Sequence, residues 1–451
     1  MACCSSGRYG RRTLLTTAIE ITAARVETLP ISHTGAVGAE GIAMTELLAD
    51  RQVHPGPDRS VTPMQRSGPS ASSDVPEPLF SSVVSTRTAC AFWSHVTEAT
   101  LFDGVDLDAE VGGRWGSAYG FQEAGGDTVK AIVRERYGPP EEVLELRDID
   151  LPTIGDGEVL VRVSAASVNA GDAAIVRGSP YVIRPVYGVT RPRRRVIGQD
   201  LAGTVERVGA KVTRFSPGDE VFGAGFGSLA EYAAAPEKRL ARKPDGLGFD
   251  TAAAVPIAGL TALQGLRDAA RVEAGQRVLI NGASGGVGTY AVQVAKALGA
   301  EVTAVCSTRN VDQARTIGAD HVIDYTKEDF TAGAARYDVV FDNAASHPLA
   351  TTLWVLADGG ILIPNAGMLD RRWLANLPRM LGAATSTVFS RRRARLAAQA
   401  WRPDDLLTLG EWIEAGTVSP VIERTYPLSE APDAVAYMGE GRARGKVVIT
   451  V

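Results

Sequence analysis

A glycine-rich segment, residues 278–288 with the sequence VLINGASGGVG, constrains the fold of this chain more than any other feature. It overlaps a continuous apolar run at 277–281 and leads into a run with helical spacing at 289–298. Glycines let a diphosphate approach the backbone N–H groups of such a turn, and a helix N-terminus favours the anion. The segment predicts a Rossmann phosphate turn; the alternative is a tight strand-to-helix turn without a ligand. The residues predicted to contact the diphosphate are Ala283, Ser284, Gly285, Gly286, Val287 and Gly288.

The segments that follow this turn alternate between strands and helices. A helix is predicted at 311–317, and strands are predicted at 301–306, 321–325, 337–342 and 360–364. Near-continuous apolar strands that alternate with helices indicate a parallel sheet buried on both faces. A helix after about residue 406, the segment 418–425, a second helix and a last strand at 446–451 end the chain.

The part of the chain before residue 251 has a different rhythm. Short strands are predicted at 129–134, 143–146 and 159–163, and a long β-rich stretch follows Pro192. Glycine and proline interrupt this stretch at turn spacing. The pattern indicates a compact, barrel-like β domain.

The composition excludes several classes of function. The formal net charge is −5, with Lys+Arg 47 against Asp+Glu 52, so nothing in the charge suggests nucleic-acid binding. No apolar run in the sequence is long enough to span a bilayer. Of the four cysteines, Cys306 alone lies after residue 127. No disulfide framework is therefore expected there, which favours a reducing, cytoplasmic location.

The residues after the second predicted Rossmann strand indicate the cofactor. NAD enzymes place an acidic residue there to bind the ribose 2′-hydroxyl. This chain has the run CSTRN at 306–310, without a carboxylate. Ser307 and Arg309 suit a 2′-phosphate, because a guanidinium forms charge-assisted hydrogen bonds with phosphate. We therefore predict NADPH rather than NADH, with Asn310 and Tyr325 as further contacts. The alternative is that Arg309 only begins a solvated helix.

Several segments together resemble the medium-chain dehydrogenase/reductase superfamily, in particular its quinone oxidoreductase branch. They lie within residues 128–451 and read AIVRERYGPPEEVLEL, GEVLVRVSAASVNAGD, DLAGTVERVGAKVTRFSPGDEVFG, AAAVPIAGLTALQGL and NGASGGVG. The resemblance implies an α/β protein: a doubly wound Rossmann sheet beside a GroES-like β-barrel catalytic domain. It also implies that the cofactor lies in the cleft between the two, and that the protein forms a homodimer, as the family often does.

The resemblance also divides the chain. Residues 128–254 are predicted to form the GroES-like catalytic domain, 255–405 the Rossmann NADP-binding domain, and 406–451 a return that completes the catalytic domain. Residues 1–127, with polar stretches such as SGPSASSDVPE, are predicted to be a disordered extension. The pair Arg11-Arg12 lies ahead of a modest apolar run, so a targeting peptide is one alternative. Another is that the start codon has been assigned too far upstream.

Alcohol dehydrogenases of this superfamily hold a catalytic zinc ion with a Cys, a His in a Gly-His-Glu motif and a later Cys. At the corresponding places this chain has Asn169 in SVNAGD, Gln199 in GQD and no Cys near Ala258. Zinc prefers thiolate, imidazole and carboxylate ligands, so no metal is predicted. Cys306 and His321 are instead predicted to be core residues of the second and third Rossmann strands.

The resemblance further implies which residues face the reaction. Asn169 is expected beside the nicotinamide and the substrate, Thr261 on the Rossmann side of the nicotinamide, and Asn365 in the same pocket. The alternatives are a turn residue for Asn169 and a helix-interior hydroxyl bonded to its own backbone for Thr261.

The aromatic residue that the family often has soon after the position of Asp172 is absent here. Ala173 and Ala174 follow Asp172 instead. The tyrosines at 181 and 187 are the candidates to replace that residue. The sequence does not indicate the proton donor.

These expectations favour one function over two others. Because the chain lacks zinc ligands, quinones and alkenes conjugated to a carbonyl are the favoured substrates. The negative charge that develops on such a substrate delocalises as hydride arrives. We predict an NADPH-dependent reductase of a small quinone or enone. The alternatives are an NAD(P)-dependent alcohol or aldehyde dehydrogenase of the same fold and a non-catalytic NADPH-binding protein. The arginine-rich, partly apolar segment 368–402 is either a lid over the cleft, a lipid-contacting surface or plain solvated surface.

Overall fold

The computed structural model describes residues 128–365, 382, 393–397 and 399–451. The predicted disorder of residues 1–127, its alternatives, and most of the segment 368–402 lie outside these described residues. The described strands are β1 Thr128–Val133, β2 Glu145–Asp150, β3 Glu158–Val168, β4 Asp200–Val208, β5 Glu220–Ala224, β6 Tyr232–Pro236, β7 Leu240–Arg242, β8 Arg277–Asn281, β9 Glu301–Cys306, β10 His321–Asp324, β11 Tyr337–Asp342, β12 Leu356–Pro364, β13 Arg393–Ala394, β14 Ile422–Pro427 and β15 Lys446–Thr450.

Helices connect these strands and cover their faces. A π-helix, Gln264–Ala270, directly continues the fifth α-helix. Short 3₁₀ turns lie at Tyr181–Ile183, Glu237–Arg239, Thr308–Asn310 and Leu428–Glu430. The α-helices are α1 Pro140–Val143, α2 Ala170–Arg177, α3 Arg184–Tyr187, α4 Phe249–Ala253, α5 Pro256–Leu263, α6 Gly286–Ala297, α7 Val311–Thr316, α8 Leu349–Trp354, α9 Pro403–Glu414 and α10 Ala431–Gly439.

The middle of the chain forms a six-stranded parallel sheet in the order β10-β9-β8-β11-β12-β13. Numbered along the sheet's own strands, this is the order 3-2-1-4-5-6 of the Rossmann fold. The central strand β8 is buried except at its first residue, as a strand covered on both faces should be. The sheet confirms the predicted doubly wound α/β fold. The carboxyl ends of β8, β9, β11 and β12 meet at one edge, which is where ligands bind in such sheets.

The first part of the chain forms the second large sheet, in the order β14-β15-β3-β4-β5-β7, with β6 also paired to β3. Most neighbours are antiparallel, and β1 pairs with β2 in a separate ladder. The C-terminal strand β15 lies beside β3, with Val447 opposite Val168, so the end of the chain returns to the sheet that its first part built. Val447 and Ile449 are fully buried in the same apolar cluster as Val161. The sheet agrees with the predicted GroES-like architecture, and the domain boundaries stay predictions.

Two local predictions were wrong. Residues 143–146 were predicted as a strand, but α1 occupies Pro140–Val143 and the strand begins only at Glu145. Proline at the first helical position and the acidic pair at 141 and 142 favour a helix start there. His321 was predicted to be a core residue, but it is exposed and its Nε2 lies 2.8 Å from Glu301 Oε1. It starts β10, the edge strand of the parallel sheet, whereas Cys306 on the inner strand β9 is buried as predicted.

Candidate active site

The glycine-rich turn joins β8 to α6 and brings backbone very close to backbone. Gly282 has a φ of +79°, a region that glycine reaches without strain. A Cβ on Gly288 would lie 2.1 Å from the Gly282 carbonyl oxygen. Gly285 precedes α6 without a side-chain cap, so the first N–H groups of a 12-residue helix have no partner within the helix. The turn therefore offers several donors to an anion, in the arrangement that a diphosphate needs.

Asn310 connects this turn to the end of β9. Its Nδ2 donates to Ser284 Oγ at 2.9 Å and to Ser307 Oγ at 3.2 Å. Its Oδ1 is buried and has no hydrogen-bond partner among the described residues. An unpaired acceptor of this kind is costly in a protein alone and suits a ligand hydroxyl. Three predicted cofactor residues are thus brought together at one edge of the sheet.

Arg309 and Tyr325 lie on the exposed side of the same edge. The Tyr325 N–H donates to Cys306 O at 3.0 Å, which brings the ends of β9 and β10 together. Arg309 is exposed, and its Nη2 donates to Arg442 O at 2.9 Å. The neighbouring Asp324 carboxylate accepts from Thr308 Oγ1 at 2.6 Å and from Thr326 Oγ1 at 2.7 Å, and the Thr308 bond contributes most to lowering the pKa of Asp324.

Asn365 lies after β12 and contacts a residue that the sequence did not single out. Its Nδ2 donates to Asn343 Oδ1 at 2.8 Å, and its N–H donates to Asp342 O at 2.9 Å. A Cβ on Gly282 would lie 3.3 Å from Asn343 Cβ, so this pair borders the glycine-rich turn. Asn343 Nδ2 is buried without a partner in the described part of the chain, which makes it a further candidate donor to a ligand.

Thr261 lies in α5, and its hydroxyl bonds within its own helix. Oγ1 donates to Ile257 O at 2.7 Å, the arrangement considered as the alternative to a catalytic role. Gln399 Oε1 lies 3.4 Å from the same hydroxyl, so the chain after β13 approaches α5 here. A contact between Thr261 and the nicotinamide stays a prediction.

Asn169 is half-buried at the start of α2, between two charged groups from other strands. Its Oδ1 accepts from Lys446 Nζ at 2.6 Å, and its Nδ2 donates to Asp200 Oδ2 at 2.9 Å. Lys446 and Asp200 also contact each other at 3.2 Å. A Cβ on Gly286 would lie 3.3 Å from Lys446 Cδ, so this cluster adjoins the glycine-rich turn. Sequence reasoning missed Lys446 and Asp200, although Asp200 belongs to the GQD motif.

Asp172, one turn into α2, is a second buried carboxylate near this cluster. It accepts from the Asn169 N–H at 2.8 Å. Burial raises the pKa of Asp172 to about 6, and the charge of Asp200 adds to the rise. Tyr187 lies close enough that the Asp172 charge, after burial, raises the tyrosine pKa as well. Tyr181 is instead covered by the Arg184 guanidinium, 4.5 Å from its ring centroid.

The site fits a nicotinamide dinucleotide better than a zinc ion. The turn lacks side chains where the diphosphate would lie, and unpaired buried amides border it. At the places where the resemblance puts zinc ligands, the chain has the carboxamides of Asn169 and Gln199, which are poor zinc ligands. Within the described residues, no group of three His, Cys, Asp or Glu side chains is arranged to hold a metal.

Comparisons with known proteins agree with this fold. The family model described as "Alcohol dehydrogenase GroES-like domain" matches residues 155–245, and the one described as "Zinc-binding dehydrogenase" matches residues 317–449. The chain belongs to the medium-chain dehydrogenase/reductase superfamily, a superfamily of oxidoreductases, as the sequence motifs predicted. Within it, the chain belongs to the quinone oxidoreductase-like branch.

Individual relatives support this placement. The chain is 33% identical to the chloroplast envelope quinone oxidoreductase homolog of Arabidopsis thaliana, over 72% of this chain and 99% of that protein. It is 34% identical to the chloroplastic NADPH-dependent alkenal/one oxidoreductase of the same plant, over 71% and 79%. The structure of the quinone oxidoreductase from Coxiella burnetii matches with a TM-score of 0.64 and 31% identity, over 72% of this chain and 100% of that one.

Among the described residues, no helix combines the length and apolar character needed to cross a membrane. The cytoplasmic location and the homodimer stay predictions.

Proposed function

We propose that this protein transfers hydride from NADPH to a quinone or to an alkene conjugated with a carbonyl. The observation that carries the proposal is the position of the Asn169 carboxamide, held beside the glycine-rich turn where zinc-dependent relatives have a thiolate. Two relatives, a quinone oxidoreductase homolog and an alkenal/one oxidoreductase, support the same substrate class by their names.

The cofactor, when bound, supplies the hydride, and the chain's residues have the simpler tasks of binding and orientation. The N–H groups at the start of α6 bind the diphosphate. The Asn169 amide N–H donates a hydrogen bond to the carbonyl oxygen of the acceptor, where negative charge grows as hydride arrives. A neutral donor is sufficient for such acceptors, because conjugation spreads the charge over several atoms.

The preference for NADPH rests on the exposed edge after β9. Ser307 and Arg309 offer a hydroxyl and a guanidinium there, and Tyr325 is 60% exposed beside them. The acidic side chain at the end of β10, Asp324, accepts a hydrogen bond from a threonine on each of its carboxylate oxygens. A 2′-phosphate finds hydrogen-bond donors at this edge, whereas a 2′-hydroxyl lacks a free carboxylate to bind.

The test of the activity is an oxidation assay with the full chain and NADPH. A naphthoquinone, a cyclic enone, an aliphatic ketone and an aldehyde serve as acceptors. Turnover of the first two, with little of the last two, is expected. Faster turnover of the ketone or aldehyde would favour an alcohol or aldehyde dehydrogenase, and tight NADPH binding with no turnover would favour a binding protein.

The test of cofactor preference is the variant Arg309→Ala. We expect kcat/KM for NADPH to fall about tenfold to a hundredfold, because a phosphate loses a charged partner, while kcat/KM for NADH changes little. Arg315→Ala is the matched control, since Arg315 is another exposed arginine, in α7, and lies 3.6 Å from Asp312. Equal losses with both cofactors would contradict a role at the 2′-phosphate.

A further inference from the structure

Three neighbouring strands bring a buried lysine, an aspartate and Asn169 together. We propose that Lys446 and Asp200 are positioning residues that fix the rotation of the Asn169 carboxamide and so present one of its N–H bonds to the substrate carbonyl. The proposal rests on the proposed function and adds what makes Asn169 an effective donor.

Strand pairing alone predicts that these residues meet. β15 runs antiparallel to β3 with Val447 opposite Val168, which puts Lys446 opposite Asn169. On the other side of β3, Ser167 is opposite Asp200 of β4. The three side chains therefore come from β15, from β4 and from the residue directly after β3, at the same level of the sheet. Their separation along the chain reaches 277 residues.

Asp200 is the centre of the cluster. Its Oδ2 accepts from Lys446 and Asn169, and also from Ser167 Oγ at 2.9 Å. Its Oδ1 accepts from the Ile257 N–H at 3.1 Å. The Asp200 side chain is fully buried and that of Lys446 is 1% exposed. A carboxylate with this many donors has a single orientation, so it can hold other groups in place.

The charges on the two partners determine which way the amide faces. An ammonium can only donate hydrogen bonds and a carboxylate can only accept them. With Oδ1 on Lys446 and Nδ2 on Asp200, both contacts are favourable. Rotating the carboxamide by half a turn would put its NH₂ group against the ammonium and its oxygen against the carboxylate. The ion pair therefore discriminates between two orientations that have almost the same shape.

This orientation has a consequence for the substrate. The Nδ2 group carries two hydrogens, and the bond to Asp200 uses one. The second is left for a carbonyl oxygen on the open side of the half-buried Asn169. A buried ion pair is by itself a weak source of stability, because removing both charges from water costs about as much as their attraction returns. The Lys446–Asp200 pair can orient the Asn169 carboxamide, which two apolar side chains in the same place could not do.

The main variant is Lys446→Met, which keeps the length of the side chain and removes its charge. We expect kcat with a naphthoquinone and with a cyclic enone to fall about tenfold to a hundredfold. The Kd for NADPH, measured by its fluorescence, should change by less than about threefold. The affinity measurement is needed because Lys446 also borders Gly286 of the glycine-rich turn.

A double-variant cycle separates positioning from general structure. Asn169→Ala should lower kcat to a similar extent, and adding Lys446→Met to it should cost little more, because the oriented amide is already gone. Asp200→Asn keeps the size of the side chain and removes the charge that contacts Asn169 Nδ2, on the side opposite to Lys446. This variant should behave like Lys446→Met. It serves as the second variant if Lys446→Met does not fold, and thermal melting is recorded for each.

Lys243→Met is the matched control. Lys243 is another buried lysine, directly after β7, with its side chain 4% exposed and Nζ 2.9 Å from Glu220 Oε2. Nζ also donates to Leu247 O at 2.7 Å. In the sheet order, β7 is three strands away from β3, the strand that Asn169 follows. Its replacement should lower the melting temperature and leave kcat unchanged.

Two results would overturn the proposal. If the effects of Lys446→Met and Asn169→Ala multiply, or if Lys446→Met retains full kcat, the lysine does not act through Asn169. If the wild-type protein binds NADPH but reduces neither acceptor, the proposed function itself fails, and the positioning role falls with it. The second result is visible before any variant is made, so the two failures are distinguishable.

Discussion

The substitution Gly288→Ala tests the phosphate turn most directly. The added Cβ would lie 2.1 Å from Gly282 O and 2.8 Å from the Ala283 carbonyl carbon, whereas ordinary contacts begin at 3.4 Å. Neither side of this contact can move away easily. Gly282 directly follows β8, which is paired on both sides. Gly288 belongs to α6, which is held in place by fully buried residues such as Tyr290. The strand-to-helix turn must therefore open.

The size of the effect follows from this geometry. Inserting one methyl group into a tightly packed site costs about 1–3 kcal/mol of folding stability. Opening the turn also moves at least one N–H away from the diphosphate, and a hydrogen bond to a charged group is worth about 1.5–3 kcal/mol. At about 1.4 kcal/mol per tenfold, the Kd for NADPH should rise about tenfold to a hundredfold.

The assay is a fluorescence titration of NADPH, combined with urea denaturation of the free protein. Gly157→Ala is the control, because Gly157 is exposed and its added Cβ would meet nothing within 4 Å. It should leave the Kd unchanged. If Gly288→Ala bound NADPH as tightly as the wild type and unfolded at the same urea concentration, the assignment of this turn to the diphosphate would be refuted.

Two further predictions concern the polar cluster. Burial raises the pKa of Asp172 from 3.8 to about 6. The native state therefore binds this proton more tightly than the unfolded chain does. The stability that the protonated carboxyl gives to the folded state is lost as pH rises from about 4 to about 6. At about 1.4 kcal/mol per pKa unit, Asp172→Asn should gain about 3 kcal/mol of stability relative to wild type between pH 4 and pH 7.5, measured by urea denaturation. An unchanged difference would show that Asp172 titrates normally. Activity with the naphthoquinone should also survive dialysis against a strong chelator, because carboxamides stand at positions 169 and 199; loss of activity that zinc restores would contradict this.

Much of the parallel sheet could be predicted from the sequence. The predicted bounds of β8, β9 and β11 coincide with those in the structure, because strands buried on both faces are continuous apolar runs with sharp ends. The segment around Pro140 could not be assigned in this way. Val143 and Leu144 are both buried, and two apolar residues in a row are compatible with a helix or with a strand. The proline and the acidic residues before them favour the helix that the structure has.

The candidate site divides along the same line. The glycine-rich turn and the run after β9 are each a short continuous segment whose shape depends on local backbone geometry. The sequence by itself was therefore enough to predict each of them as part of a candidate cofactor site. The partners of Asn169 depend on which strands pair and in what register, and Lys446 is 277 residues away from it. Only the tertiary structure brings Lys446 and Asp200 to Asn169, because the charges meet through strand pairing that no local pattern encodes.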